Sequence, residues 1–152
     1  MPKYYSPDGN IEVWNDKPAG YYTEEEWAAL HPPPAPTLDE AKAAKIDELK
    51  SIRDTKEVEP ITTGKGIFDY DDKSRDRLAI ARQALEDSGG EGSITWTTAD
   101  NQRVPIGVAD FVDINNAAAS RSNSLHVKYN ELKSDVNACT TVEAVESIEW
   151  GD

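Results

Sequence analysis

Thiol chemistry is almost missing from this 152-residue chain, which has one cysteine, Cys139. That excludes an internal disulfide framework and any zinc site built on several cysteines. Histidine is nearly as scarce. His31 abuts a proline run, His126 falls in a helical stretch, and neither has a Ser or Cys at a spacing that suggests a triad. Basic residues are in short supply too, 16 against 29 acids, for a formal charge of −13. Such a surface repels polyanions and argues against nucleic acid or an anionic membrane as partner. No apolar run approaches the ~18 residues of a membrane-spanning helix. Met1 to Pro7 lacks the apolar core of a signal peptide, so the expectation is a soluble chain, intracellular at synthesis. The apolar fraction is 38%. That is low against the ~45–50% of typical globular chains and leaves room for a modest core only.

Proline and aromatics are distributed unevenly. His31-Pro32-Pro33-Pro34-Ala35-Pro36 fixes φ at successive positions and reads as a semi-rigid polyproline spacer, with an SH3 or WW ligand as the functional alternative. It separates a module at 1–30 from a domain at 37–152. The first module holds Tyr4, Tyr5, Trp14, Tyr21, Tyr22 and Trp27, half of the chain's Phe, Trp and Tyr residues. Ser6-Pro7-Asp8-Gly9-Asn10 is turn chemistry between Lys3-Tyr4-Tyr5 and Ile11-Glu12-Val13-Trp14, which predicts a β-hairpin. Thr23 with Glu26 three residues on is a capping box that opens a short helix ending near Leu30. Thirty residues cannot bury six large rings unaided. The rings therefore either pack on the second domain or form a docking face, since Tyr and Trp are frequent interface anchors.

The second domain predicts as α+β: a small helical domain with short β-hairpins and one long C-terminal helix. Thr37 and Glu40 form another capping box, and Leu38, Ala41, Ile46, Leu49 and Ile52 make one apolar stripe on a helix near 38–56. Ile61 to Phe68 is a tight hairpin around Gly64 and Gly66. Asp71 or Asp72 caps a helix near 73–87 carrying Leu78, Ala81 and Leu85, closed by Ser88-Gly89-Gly90. Ser93 to Thr98 alternates as a strand and returns through Gln102 to Ile106, with Pro105 placing the return at an edge. A helix near 108–137 follows, with Phe111, Ile114, Ala118, Leu125, Leu132 and Val136 at helical spacing. At roughly 45 Å it is longer than a small monomer needs, so part of it is expected to contact a partner, including another copy of the chain. Thr140, with Glu143 at N3, is expected to cap a last short helix.

Candidate chemistry fails on inspection. Gly64-Lys65-Gly66 lacks the frame of a phosphate-binding loop. Asp69-Tyr70-Asp71-Asp72-Lys73 begins like a calcium loop, but Lys73 takes a ligand position, Ser74 replaces the turn glycine and Ile80 replaces the last glutamate. No basic group beside Cys139 would activate its thiolate. With 29 acids, no carboxylate pair stands out as acid and base. The expectation is a protein without catalytic, metal or cofactor residues.

Four pieces of the second domain carry a family resemblance. They are the Ala-rich capped helix Thr37 to Ile46, the stretch Gly66 to Arg77, the tract Ile94-Thr95-Trp96-Thr97-Thr98-Ala99-Asp100-Asn101, and the closing helix through Leu125-His126 and Leu132-Lys133 to Val145. Together they resemble a phage-associated domain of unknown function found at the C-terminal end of tail-fibre-assembly-type proteins of phages and prophages. The Trp-Thr-Thr-Ala-Asp tract is the most specific piece. The Tyr-rich hairpin, Thr-Glu-Glu-Glu-Trp helix and proline spacer are similar to the N-terminal layout of tail fibre assembly proteins. Pro105 departs from the uninterrupted edge strand expected there.

The resemblance implies a tail fibre assembly chaperone that binds the phage tail fibre protein and assists its folding or trimerisation in the host cytoplasm. The alternative is a structural component of the virion tail, a fibre-tip or baseplate adaptor subunit. The family brings no catalytic residue and no cofactor. The hypothesised fibre-binding residues are Tyr4, Tyr5, Trp14, Tyr21, Tyr22 and Trp27. Trp96, on its alternating strand, is expected to be mainly buried near Phe111 and Ile114.

Overall fold

The computed structural model describes residues 1–152. The chain divides into two compact units, Met1–Pro36 and Thr37–Asp152.

In the first unit, strands β1 (Lys3–Tyr5), β2 (Ile11–Val13) and β3 (Tyr22–Thr23) form an antiparallel sheet in the order β2-β1-β3, followed by helix α1 (Glu24–Leu30). The hairpin expected from the Pro-Asp-Gly-Asn turn is therefore completed by a third strand. Tyr22 pairs with Tyr5, and Thr23 with Tyr4. That strand is two residues long and runs straight into the N-cap of α1, too short to leave an alternating pattern. Thr23 and Glu26 do form the capping box: the Thr23 hydroxyl accepts from the Glu26 amide at 3.1 Å, and the Glu26 carboxylate accepts from the Thr23 amide at 2.9 Å.

The second unit is α+β. It comprises α2 (Leu38–Glu57), hairpin β4 (Ile61–Thr63) and β5 (Gly66–Phe68), α3 (Asp72–Asp87), hairpin β6 (Ile94–Thr97) and β7 (Arg103–Ile106), α4 (Val108–Ala138) and α5 (Val142–Glu146). Asp71 caps α3 by accepting from the Ser74 amide at 2.7 Å. The β6–β7 ladder runs unbroken from Ile94↔Ile106 to Thr97↔Arg103, with Pro105 opposite Thr95. In a two-stranded ladder every strand is an edge, so the missing N–H can face outward without breaking a pair. The cap of α5 is Thr141, one residue later than expected, and its hydroxyl accepts from the Ala144 amide at 3.1 Å. Adjacent threonines offer the same chemistry, and the backbone turn after α4 selects between them.

α4 is the spine of this unit. Its 31 residues extend about 46 Å. The N-terminal half buries Phe111, Ile114 and Ala118 against Ile61, Phe68, Leu78, Leu85 and Ile106 from both hairpins and α3. The C-terminal half buries Tyr129 and Val136 against Ala41 and Leu49 of α2, Val145 of α5 and Trp150. Two successive cores are thus built on one helix. Where α4 begins, Gly107 has no room for a side chain: a Cβ there would lie 2.9 Å from the Gly92 carbonyl oxygen.

α2 and the second half of α4 run antiparallel, and each caps the other's C-terminus. Lys42 near the start of α2 donates to the carbonyl of Asn137 near the end of α4, at 2.9 Å. Arg121 of α4 donates to the carbonyls of Glu57, Glu59 and Pro60 at the end of α2, at 2.6, 2.7 and 3.2 Å. A cation on unsatisfied carbonyls at the negative end of a helix is favourable both as a hydrogen bond and as a charge–dipole interaction.

The Trp-Thr-Thr-Ala-Asp tract proves to be a strand end and turn. Trp96 is mainly buried, as expected, and packs against the core that holds Phe111 and Ile114: it meets Phe111 edge-on at 6.0 Å between ring centroids, and the Arg77 guanidinium covers it 5.2 Å from the ring centre. The most deeply buried residue of the tract is Thr98, 3% exposed. Its hydroxyl lies 2.6 Å from an Asp100 carboxylate oxygen, to which it donates, and accepts from the Gln102 amide at 3.0 Å. The next amide, that of Ala99, donates to the Ile67 carbonyl and ties the two hairpins together. Thr98 Cγ2 also lies 3.2 Å from where a Cβ on Gly66 would sit, and Gly66 has φ +143°, a second reason for glycine there.

Candidate partner-binding surface

The six aromatics of the first unit fall into three settings. Tyr4, on the central strand, is buried at 9% exposure and serves the packing of the unit. Tyr5, Tyr22 and Trp27 form one cluster. Tyr5 stacks on Trp27 at 5.3 Å, nearly parallel, and Tyr22 meets Trp27 at 5.7 Å, tilted. His31 extends the stack, its ring 3.9 Å from that of Trp27, while its Nδ1 sits 3.1 Å from the Trp27 carbonyl oxygen. Trp14 and Tyr21 meet at one carboxylate, Glu12, which accepts from Trp14 Nε1 at 3.1 Å and from the Tyr21 hydroxyl at 3.2 Å. Burial, that hydrogen bond, and the negative charges of Glu12 and Asp8 raise the Tyr21 phenol above its ordinary pKa.

Three of the rings thus stabilise one another, and the exposed apolar surface lies beside them. Ile11, Val13, Trp14 and Leu30 are 57%, 51%, 46% and 58% exposed. The aliphatic members, Ile11, Val13 and Leu30, are not singled out by an aromatic count, although the Ile-x-Val alternation on a hairpin marks the first two. Tyr21, Tyr22, Ala29 and Leu30 line a shallow groove of about 420 Å³, with Lys17 and Glu26 on its rim. The Lys17–Glu26 ion pair closes that rim, and the hydrogen bond from Lys17, followed by that from the Thr23 amide, holds the Glu26 carboxyl below its usual range.

The second unit has a larger groove of about 500 Å³ lined by α3 and α4, with Arg75, Arg82, Asp76 and Glu86 among its polar groups. Arg75 is paired with Asp72 at 2.6 Å and Arg82 with Glu86 at 2.9 Å, so its cations are matched by neighbours on α3 itself. At the α2–α4 junction, Ser122 Oγ donates to a Glu57 carboxylate oxygen at 2.8 Å, and His126 Nε2 lies 2.8 Å from the same oxygen. Ser122 and His126 lie one helical turn apart, a spacing visible in the sequence; the carboxylate between them comes from another helix and is not. Both groups address Glu57, so no serine–imidazole contact is formed and the arrangement is a polar lock. No group of three or more His, Cys, Asp or Glu side chains is arranged to hold a metal ion. No helix is long and apolar enough to cross a membrane.

Together these features describe an α+β protein in which a helical unit with two short hairpins follows a small aromatic sheet unit. Residues 40–149, nearly the whole second unit, match the family described as domain of unknown function DUF4376, and the chain belongs to that family. No curated protein and no solved structure matches the chain.

Proposed function

We propose that this protein is an assembly chaperone for a phage tail fibre, binding the fibre protein through its first unit and acting without catalysis. The observation that carries the reading is the exposure of three large apolar side chains on β2 and just after it, Ile11, Val13 and Trp14, on a chain of charge −13. Intertwined β-rich fibres expose strand edges before they trimerise, and such edges aggregate unless covered. A helper for them needs an apolar contact surface and enough charge to stay soluble. The resemblance of the aromatic hairpin, capped helix and proline spacer to tail fibre assembly proteins supports the same reading.

Co-expression of the full chain with its cognate fibre protein tests it. Soluble, trimeric fibre should form with the chain and insoluble fibre without it. Equal yields of soluble trimer in both cases overturn the proposal. Mass spectrometry of purified particles then separates an assembly factor, absent or substoichiometric, from a tail subunit present in fixed ratio.

A further inference from the structure

One edge of the first unit's sheet sets exposed aliphatic side chains beside unpaired backbone groups. β2 lies at the end of the order β2-β1-β3. Two hydrogen bonds flank its pairing with β1: Ser6 N–H donates to the Asn10 carbonyl at 2.9 Å, and Trp14 N–H to the Pro2 carbonyl at 3.3 Å. Hydrogen-bonded pairs alternate with non-bonded pairs along an antiparallel ladder. With Ser6:Asn10 and Pro2:Trp14 bonded, Tyr4:Glu12 is the bonded pair between them. The N–H and C=O groups of Ile11 and Val13 therefore point away from β1. No other group of the chain hydrogen-bonds to them. The residues with outward backbone groups are the same two whose side chains are most exposed on the strand. Natural edges are usually blunted by short length, charge, proline or a bulge. Ile11-Glu12-Val13 is short and has no lysine, proline or bulge, and its one charge is Glu12, which selects what can pair there.

We infer that β2 accepts an antiparallel strand from another polypeptide, whose residues opposite Ile11 and Val13 are apolar and whose residue opposite Glu12 is basic. This rests on the reading of the first unit as a binding module and specifies what it binds. The charge pattern names the occupant. Residues 1–36 carry Lys3 and Lys17 against Asp8, Glu12, Asp16, Glu24, Glu25 and Glu26, so an acidic segment is repelled. On the Glu12 side of the strand, Trp14 is anchored by its Nε1 on the Glu12 carboxylate and about half exposed, so a Lys or Arg opposite Glu12 meets both an anion and an indole face. A second copy is disfavoured by the same residue. The antiparallel register that pairs Ile11 with Val13 of the other copy sets Glu12 directly opposite Glu12, and like charges facing one another across a ladder are destabilising.

The probes are three synthetic peptides: acetyl-Thr-Val-Lys-Val-Thr-amide, the same peptide with Glu in place of Lys, and the Lys peptide with both valine amides N-methylated. Each is titrated into the full ¹⁵N-labelled chain, and amide exchange is followed by NMR. The Lys peptide should slow exchange at Ile11 and Val13 by about tenfold or more at saturation. It should bind about fivefold more tightly than the Glu peptide. The N-methylated peptide, which cannot donate along the edge, should give no protection. Equal binding of the N-methylated peptide, protection confined to other amides, or no binding of the Lys peptide overturns the inference. Val13→Pro provides the link to fibre. It removes an outward N–H while leaving the Tyr4:Glu12 pair, which Glu12 amide protection in the free variant verifies. If the wild-type chain solubilises fibre and a folded Val13→Pro chain does so equally well, strand addition is refuted and the chaperone reading stands. If the wild-type chain has no effect on fibre, the chaperone reading fails, whatever the peptides show.

Discussion

Replacing Arg121 with methionine tests whether α2 and α4 are held by their ends as well as by their apolar faces. The substitution keeps an unbranched apolar stem and removes the guanidinium. Three carbonyl contacts are lost, to Glu57, Glu59 and Pro60, together with the cation over the Tyr70 ring at 5.6 Å. A hydrogen bond to a charged group contributes about 1.5–3 kcal/mol. The three share one side chain, the carbonyls can turn to water, and ordering an arginine costs up to about 2 kcal/mol. The net expectation is a loss of about 2–3 kcal/mol, or about 8–12 °C in Tm for a unit of this size. Urea unfolding followed by far-UV circular dichroism should show a lower midpoint at unchanged slope. Arg121→Lys should recover less than half, because one ammonium cannot span three carbonyls set for a planar fork. A methionine variant within about 0.5 kcal/mol of the parent, or a lysine variant equal to it, refutes the reasoning.

Thr98→Val keeps the methyl against Gly66 and removes the hydroxyl that serves Asp100 and Gln102. It should cost about 1–3 kcal/mol, against about 1 kcal/mol for Thr98→Ser, which loses one methyl. Urea midpoints check the order, and the reverse order would make Thr98 a packing residue. Glu26 predicts a pH dependence confined to the first unit. Its carboxyl titrates below the ordinary glutamate range, so its contribution is complete above that range and disappears as pH falls through the depressed value. Amide protection at the start of α1 should drop as acid is added below about pH 4.5. Glu26→Gln should flatten that part of the profile, and an unchanged profile counts against Glu26, held by Lys17 and the Thr23 amide, as its source.

Much of the architecture was legible from local rules. The capping chemistry at Thr23, Thr37 and Asp71, the glycine turn at Gly64 to Gly66, and the switch from alternating to helical spacing at Gly107 each depend on a few neighbouring residues, and the corresponding elements lie where those residues put them. Cap position failed at Thr140 and Thr141, where two identical side chains compete and only the path of the chain after α4 separates them. A two-residue strand such as Tyr22–Thr23 leaves no periodic signal, because its strand character comes from pairing with β1.

Burial was legible in part. A large ring between threonines pointed to a mainly buried Trp96 near Phe111, and it lies there, but the fuller enclosure of Thr98 was not legible, because a hairpin pairs only its own two strands and what lies over each face depends on α3 and α4. Tertiary packing sets Arg77 over the indole and leaves Thr98, the smaller residue, enclosed. The candidate surface shows the same division. Six aromatics near the N-terminus are a property of the sequence. Their separation into a buried Tyr4, a Tyr5–Tyr22–Trp27 stack and a Trp14–Tyr21 pair anchored on Glu12 is a property of the sheet, since strand order decides which edge is covered.

The amino-acid sequence by itself determined the charge, the absence of long apolar runs, the helix starts and the turns, because those depend on composition or on residues within about four positions of each other. Only the tertiary structure decided that Lys42 and Arg121 cap one another's helices, that Glu57 meets Ser122 and His126, and that one long helix serves two cores. Those partners are more than sixty positions apart in the chain. What unites them is the antiparallel packing of α2 on α4, and no local pattern encodes the register of that packing.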